Sequence, residues 1–299
     1  MPRIGMLWAN SAQAEQEIGL VAAFHKGMAE LGYVDGRTMI VEERFADGSP
    51  QRLDNLAAEL VGLNVDLIVT GANGADAAAR ATKVIPIVSA TTADPVGEGL
   101  AASLAHPGGN VTGNAVFFPQ MMAKRLELLK QALPSLTRAG VLTPDRAPIV
   151  RFTFEVMSES AKALGVELEL FEASDAATYD AAFAKASANG FGGFVIRDPP
   201  IFFRDAGVIA ALALKHRILA GGAPICARSG GLFGYAVIFP ELFRKAATFV
   251  DKILKGAKAG DIPFEQATKF ETVVNLKTAR ALGVDIPATV LAAAAEVIE

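Results

Sequence analysis

Residues 85–113 read IPIVSATTADPVGEGLAASLAHPGGNVTG, and this stretch shows the pattern that governs the fold. A β-branched apolar run occupies 85–90, a glycine-rich loop follows, and a second strand-like run begins at 111. The alternation of strand-like runs with helical apolar spacing continues in both directions along the chain. It predicts an α/β fold in which helices cover both faces of parallel sheets. The other strand-like runs lie at 3–8, 38–45, 66–71, 139–144, 166–171, 192–198 and 269–275.

Composition narrows the function classes before any motif is considered. The chain has 299 residues, of which 52% are hydrophobic and 20% charged, enough apolar material for two folded domains. A net charge of −4 gives no basic face for nucleic acid. The sequence holds no apolar run long enough for a membrane span, and its one cysteine, Cys226, excludes an internal disulfide.

Gly97, Gly99 and Ala102 match the GxGxxA pattern of dinucleotide-binding loops. Such a loop directly follows a first strand and is followed about 20 residues later by an acidic ribose ligand. Here the loop follows the fourth strand, and 117–121 contains no carboxylate. We therefore interpret the glycines as turn residues and expect Asp94 to cap a short helix at 96–105.

Catalytic motifs are missing from the sequence. The three histidines show no metal-ligand spacing, Cys226 has no histidine near it in the sequence, and no GxSxG elbow occurs. The sequence accordingly predicts no catalytic residue, no metal and no cofactor. One enzymatic alternative stays open, a cytoplasmic two-lobed α/β enzyme that uses paired carboxylates such as Asp94 and Asp198.

Ligand-binding candidates follow the predicted strands, because open parallel sheets bind ligands at the carboxyl ends of their strands. The set combines aromatic surfaces with hydrogen-bonding groups, a mixture typical of a small-molecule site. Two of its aromatic members, Trp8 and Phe117, are equally compatible with a place in the core. The candidates are Trp8, Asn10, Ser11, Asn73, Gly74, Thr91, Thr92, Asp94, Phe117, Asp145 and Asp198.

Several blocks resemble a bacterial family of ABC-transporter substrate-binding proteins that includes tryptophan- and tyrosine-transporter-like members. The likeness rests on residues 85–113, KRLELLKQALPSLTRAGVL (124–142), RDPPIFF (197–203), GGLFGY (230–235) and 242–287, which keep their order along the chain. The resemblance implies a type I periplasmic-binding fold, with two Rossmann-like lobes joined by a multi-strand hinge. Lobe 1 would comprise 1–116 with 235–265, and lobe 2 would comprise 117–234 with 266–299.

The same resemblance implies a non-catalytic receptor that traps a small molecule by hinge closure and delivers it to an ABC permease. We expect an amino acid or related carboxylate, aromatic ones among them, and no nucleic-acid partner. Family members are usually monomers in the periplasm or anchored by lipid. The segment MPRIGMLW shows no secretory signal pattern, so this location implies a leader that the sequence does not include.

Residue roles in the expected site follow from side-chain chemistry. Aromatic rings such as Trp8 and Tyr235 would stack on the ligand or cover it, Asn73 and Thr92 would donate hydrogen bonds, and Asp198 would take an ammonium group. The segment 218–229 departs from the family pattern, and Ala236 stands where a glycine is usual. Within that segment Arg228 is either a partner for a ligand carboxylate or a solvated arginine.

Overall fold

The computed structural model describes the backbone of residues 1–299 and the side chains of all except 17, 18, 72, 73, 148, 149 and 200. The strands, numbered along the chain, are β1 (Arg3–Trp8), β2 (Ile40–Phe45), β3 (Leu67–Thr70), β4 (Ile87–Thr92), β5 (Val111–Ala115), β6 (Arg138–Thr143), β7 (Glu167–Glu172), β8 (Gly193–Ile196), β9 (Leu219–Gly222), β10 (Phe233–Val237), β11 (Glu265–Gln266), β12 (Phe270–Asn275) and β13 (Glu296–Ile298). The helices are α1 (Ala12–Ile18), α2 (Leu20–Glu30), α3 (Pro50–Gly62), α4 (Ala72–Ala81), α5 (Phe118–Ala132), α6 (Pro148–Leu164), α7 (Ala176–Ala188), α8 (Pro200–Arg204), α9 (Ala206–Lys215), α10 (Pro224–Arg228), α11 (Phe239–Leu254), α12 (Leu276–Leu282) and α13 (Ala288–Ala292), with a 3₁₀ turn at Ala259–Asp261.

Unit 1, residues 1–117 and 238–269, is built on a parallel sheet. Its strands lie in the order β11-β5-β4-β3-β1-β2, and each neighbouring pair is parallel. The strand order reverses at β1, which pairs with β2 on one side and with β3 on the other. In an open parallel sheet, ligands bind beside such a reversal at the carboxyl ends of the strands.

The core on one side of the unit 1 sheet depends on a late segment of the chain. Helix α11 supplies Phe243, Phe249 and neighbouring apolar residues to the cluster that holds Phe24 and Met28 of α2. The two helices approach so closely that a Cβ at Gly27 would collide with the backbone oxygen of Arg244. Helix α11 lies within the segment 235–265 that the resemblance assigned to lobe 1.

Unit 2, residues 118–237 and 270–299, has its own sheet in the order β13-β12-β10-β9-β8-β6-β7. The pairs are parallel except β10 with β12, which is antiparallel. The strand order reverses at β6, between β7 and β8. A second ligand-binding edge is therefore expected at the carboxyl ends of β6 and β8.

The predicted α/β class with two parallel-dominated sheets is confirmed. The chain passes from one unit to the other at 117–118, 237–238 and 269–270, where the resemblance placed the boundaries at 116, 234 and 265. No helix in the part of the chain that the structure describes is long and apolar enough to cross a membrane.

The helix predicted at 96–105 is wrong, since turns and bends occupy this loop. The Asp94 carboxylate accepts hydrogen bonds from the amides of Val96 and Gly97 at 3.2 and 3.0 Å, so it closes a turn rather than capping a helix. Gly99 has a φ of 71°, which ends any helical path at that residue. The glycine pattern that resembles a nucleotide loop thus serves a compact turn.

Candidate functional site

Two aromatic rings enclose Trp8, the last residue of β1. Its indole lies 5.2 Å from the Phe243 ring and 6.1 Å from the Phe45 ring, stacked on both. The side chain is buried in the core of unit 1, which is one of the two placements that the sequence left open for Trp8. Its Nε1–H is nevertheless buried, with no hydrogen-bond partner among the side chains that the structure describes. The contact of Trp8 with a ligand stays a prediction.

Buried polar atoms without partners among the described residues also occur on β4 and β5, which lie on the other side of β3 from β1. The hydroxyls of Ser89 and Thr92 on β4 and the Oδ1 of Asn114 on β5 are buried and have no hydrogen-bond partner in the part of the chain that the structure describes. The Asn114 amide nitrogen, in contrast, donates to the carbonyls of Ala90 and Leu242, each at 3.2 Å. Each buried unpaired group costs about 1–3 kcal/mol, so several in one sheet call for a functional reason. The candidate Thr91 lies on β4 between Ser89 and Thr92 and is also buried.

Glu15 is the side chain in this region that the sequence analysis missed. It lies on α1 and is only 3% exposed. Its Oε1 accepts hydrogen bonds from the Asn10 side-chain amide at 2.9 Å and the Asn10 backbone amide at 3.4 Å. Its Oε2 has no partner among the described residues. Burial raises the pKa of Glu15, and the Asn10 bonds partly oppose that shift. The candidate Asn10 therefore orients a buried carboxyl group.

The other candidates of unit 1 serve local structure. The Ser11 hydroxyl accepts from the Ala14 amide at 3.3 Å and so caps α1. Gly74 is required because a Cβ there would collide with the Thr70 hydroxyl, which donates to the Leu7 carbonyl at 2.7 Å. The Asn73 side chain lies outside the described residues.

Phe117 has an unusual backbone at the last residue of unit 1. Its φ is 53°, a left-handed value that is costly for a bulky side chain. Its amide donates to the Ala93 carbonyl at 3.1 Å, and its side chain is half-buried. The strained backbone of Phe117 thus lies in the connection between β5 and α5.

In unit 2 the candidate Asp198 is already paired. Both of its oxygens accept from the Arg125 guanidinium, each at 2.8 Å, and the two side chains are 4% and 1% exposed. Arg125 also donates to the carbonyls of Ile196 and Tyr235 at 2.8 and 2.9 Å. The predicted role of Asp198 as an ammonium acceptor stays a prediction, and each of its oxygens already accepts one hydrogen bond from Arg125. The helical arginine responsible comes 73 residues earlier in the chain and was not predicted.

Arg228 and Asp145 are also engaged in local contacts. Arg228 forms ion pairs with Glu296 at 2.8 Å and with Glu271 at 3.2 Å. The sequence left two interpretations of Arg228, a partner for a ligand carboxylate or a solvated arginine. The second matches the structure better, because Arg228 is exposed and pairs with two glutamates of its own unit. Asp145 is exposed, and its Oδ1 accepts from the Ala147 amide at 3.0 Å.

Tyr235 presents an aromatic platform on β10. Its ring stacks on Phe270 of the adjacent β12, with centroids 5.3 Å apart and planes 4° from parallel. The residue is half-buried, and that burial raises the pKa of its phenol. One face of the Tyr235 ring is thus covered by Phe270.

Arg197 follows β8 directly and precedes the candidate Asp198. The sequence did not predict it as a site residue. It lines a water-sized pocket of about 10 Å³ together with Asp198, Phe202, Ala206 and Cys226. Burial raises the pKa of the Cys226 thiol to about 12, which makes it unreactive. In the described part of the chain, no group of three His, Cys, Asp or Glu side chains is placed to hold a metal ion.

Comparison with known proteins gives a consistent set of matches. The family model described as "ABC transporter substrate binding protein" matches residues 14–298. A protein of Clostridioides difficile named "Tyrosine-binding protein" is 26% identical over 261 residues, which cover 87% of this chain and 75% of that protein. A Streptococcus pneumoniae ABC domain solved in complex with L-Trp has a TM-score of 0.87 at 24% identity, covering 99% of each chain. A conserved domain protein of Vibrio cholerae has a TM-score of 0.86 at 26% identity, also covering 99% of each chain.

Proposed function

This chain belongs to the family of ABC transporter substrate-binding proteins, and from that premise we propose that it is the receptor of an importer for an amino acid. Members of the family bind small molecules and interact with a permease, and they are extracellular, periplasmic or lipid-anchored. The names of two similar proteins, one tyrosine-binding and one solved with L-Trp, make aromatic amino acids the first ligands to test. We expect this receptor to act as a monomer outside the cytoplasmic membrane, with the leader sequence that such a location requires.

The observation that carries the proposal is a set of buried polar atoms in unit 1 for which the described residues provide no hydrogen-bond partner. They include an acceptor carboxylate oxygen on Glu15, a donor on Trp8 and a hydroxyl on Thr92. An amino acid presents an ammonium group and a carboxylate, and groups of this kind can satisfy both acceptors and donors. An ammonium beside Glu15 would also favour the ionised carboxylate that burial disfavours. The proposed ligand therefore removes a cost that the free protein bears.

Non-catalytic binding is part of the proposal. The carboxylate alternative needs Asp94 and Asp198 as acid and base. Asp94 accepts two amides of its own loop, and Asp198 is held by Arg125. Both carboxylates thus already accept hydrogen bonds from groups of the protein itself, which favours binding without catalysis.

A thermal-shift panel followed by calorimetry tests the function. The probes are L-tyrosine, L-tryptophan, L-phenylalanine, L-leucine, L-glutamate, glucose and ATP. A ligand at 100 times its Kd should stabilise the fold by about 2.7 kcal/mol, which is a shift of several degrees. We expect one or more amino acids to give this shift, and glucose and ATP to give none. Stabilisation by glucose or ATP alone would overturn the proposal.

Glu15→Gln links the panel to the proposed site. It removes the acceptor for an ammonium group and should weaken amino-acid binding at least tenfold. Glu59→Gln is the matched control, because Glu59 is exposed on α3 and pairs with Arg44. Equal affinity in wild type and Glu15→Gln would place the ammonium elsewhere.

A further inference from the structure

Arg197 stands at the strand-order reversal of unit 2. It directly follows β8, and its guanidinium reaches back to the adjacent strand β6, where Nη1 donates to the Thr143 hydroxyl at 3.3 Å. This is the position in a parallel sheet where ligands bind. The residue is half-buried, and no carboxylate among the described side chains lies within ion-pair distance of it.

The neighbouring arginines of unit 2 differ from Arg197 in this respect. Arg125 pairs with Asp198, Arg204 with Asp205, and Arg228 with Glu271 and Glu296. A guanidinium cannot lose its proton in a protein, so an arginine buried without a carboxylate keeps an uncompensated charge. Burial correspondingly lowers the pKa of Arg197, against the weaker opposing effects of Asp145 and Asp198.

The surroundings of Arg197 favour binding of an anion. Besides Asp198, its pocket is lined mainly by apolar groups, among them Phe202, Phe203 and Ile225. Asp198 does not neutralise Arg197, because both of its oxygens are bound by Arg125. An opposite charge that enters an apolar setting meets little dielectric screening, and a guanidinium binds a carboxylate through two parallel hydrogen bonds.

We propose that Arg197 is the anion anchor of the receptor and that it pairs with the carboxylate of the bound solute. The inference rests on the proposed function and adds to it one residue of unit 2, Arg197, that recognises the carboxylate of the solute. It assigns to Arg197 the role that the sequence suggested for Arg228. It also defines the ligand class, since a solute without a carboxylate leaves the guanidinium unpaired.

The experiment compares each amino acid that binds with its uncharged carboxamide, for example L-tyrosine with L-tyrosinamide and L-tryptophan with L-tryptophanamide. Calorimetry is run on wild type, Arg197→Gln, Arg197→Lys, Arg228→Gln and Arg204→Gln. Arg204→Gln is the matched control, because Arg204 is exposed on α8 and already paired. Unfolding midpoints verify that each variant is folded.

Wild type should prefer the carboxylate over the carboxamide by about 30-fold or more, the effect of removing one partner of a desolvated charge pair. Arg197→Gln should lose that preference, Arg197→Lys should keep part of it, and Arg204→Gln should keep all of it. A preference that survives in Arg197→Gln, or disappears only in Arg228→Gln, overturns the inference while the receptor function stands. If no amino acid binds wild type, the proposed function itself has failed.

Discussion

The ion pair between Arg125 and Asp198 is the residue-level contact that holds the carboxyl edge of unit 2. Arg125 joins the carboxylate to two backbone carbonyls, one of Ile196 at the end of β8 and one of Tyr235 on β10. Both side chains are almost fully buried, so each charge depends on its partner. The pair of Asp198 and Arg125 therefore fixes this edge, and direct contact of Asp198 with a ligand stays a prediction.

Arg125→Leu should lower the free energy of unfolding by about 3–5 kcal/mol, because it leaves Asp198 charged, buried and unpaired. The double variant Arg125→Leu with Asp198→Leu should recover much of that loss, since neither charge is then buried. Urea unfolding curves measure both values. Arg204→Ala removes an exposed paired arginine and should cost no more than about 1 kcal/mol. A double variant as unstable as the single one would contradict this account.

Glu15 predicts a pH dependence of stability. Because burial raises its pKa above 4.5, the folded chain binds more protons at Glu15 than the unfolded chain does between 4.5 and the raised value. The associated stability is complete below pH 4.5 and is lost as the pH rises through the raised pKa. Relative to wild type, Glu15→Gln should therefore become more stable as the pH increases across that window. Chemical unfolding at a series of pH values from 4 to 8 measures this difference, and a constant difference would contradict the prediction.

The packing of α2 against α11 shows how elements distant in sequence build unit 1. Gly27 lies where the two helices come closest, and any side chain there meets the Arg244 carbonyl. A glycine within a helix usually costs stability, so its place here is explained by the close approach. The close packing of α11, which comes late in the chain, thus depends on the absence of a side chain at Gly27.

Gly27→Ala should destabilise the protein by about 1–3 kcal/mol, because the helices must move apart to admit the methyl group. Gly62→Ala on α3 is the matched control, since nothing lies within 4 Å of its added Cβ and its φ is ordinary. That control should be neutral or stabilising by up to about 1 kcal/mol. Thermal or urea unfolding measures both, and equal effects would exclude helix contact as the reason for Gly27.

Strand prediction succeeded where the chain shows β-branched apolar runs and failed where it does not. The runs at 3–8, 139–144 and 166–171 correspond to β1, β6 and β7 within one residue at each end. Strand β9 reads LAGG, and its two glycines carry no strand preference, so only its neighbours in the sheet reveal it. Local pattern therefore predicted the elements that have a pattern of their own.

For the whole molecule, hinge closure stays a prediction. The chain connects the two units at 117–118, 237–238 and 269–270, and the first connection contains the strained backbone of Phe117. Closure needs a ligand that binds the closed form more tightly than the open form. Small-angle scattering should therefore show a smaller radius of gyration with saturating amino-acid ligand than without it. The Arg197→Gln variant at the same ligand concentration should show a smaller change, and an unchanged radius in saturated wild type would contradict closure.

The sequence alone determined the α/β class, most strand positions and the edge where ligands are expected, because these depend on the spacing of apolar residues and on the polar residues that follow each strand. Only the tertiary structure decided which of those polar groups are free. Asp198 is paired with a residue 73 positions away, Arg228 with one 68 positions away, and Trp8 stacks on Phe243 of the late helix α11. Such partners meet through packing, and no local pattern specifies them. Among the described residues, the same packing leaves Glu15 buried with one oxygen unpaired and Arg197 half-buried without a carboxylate partner, and a binding site needs such groups.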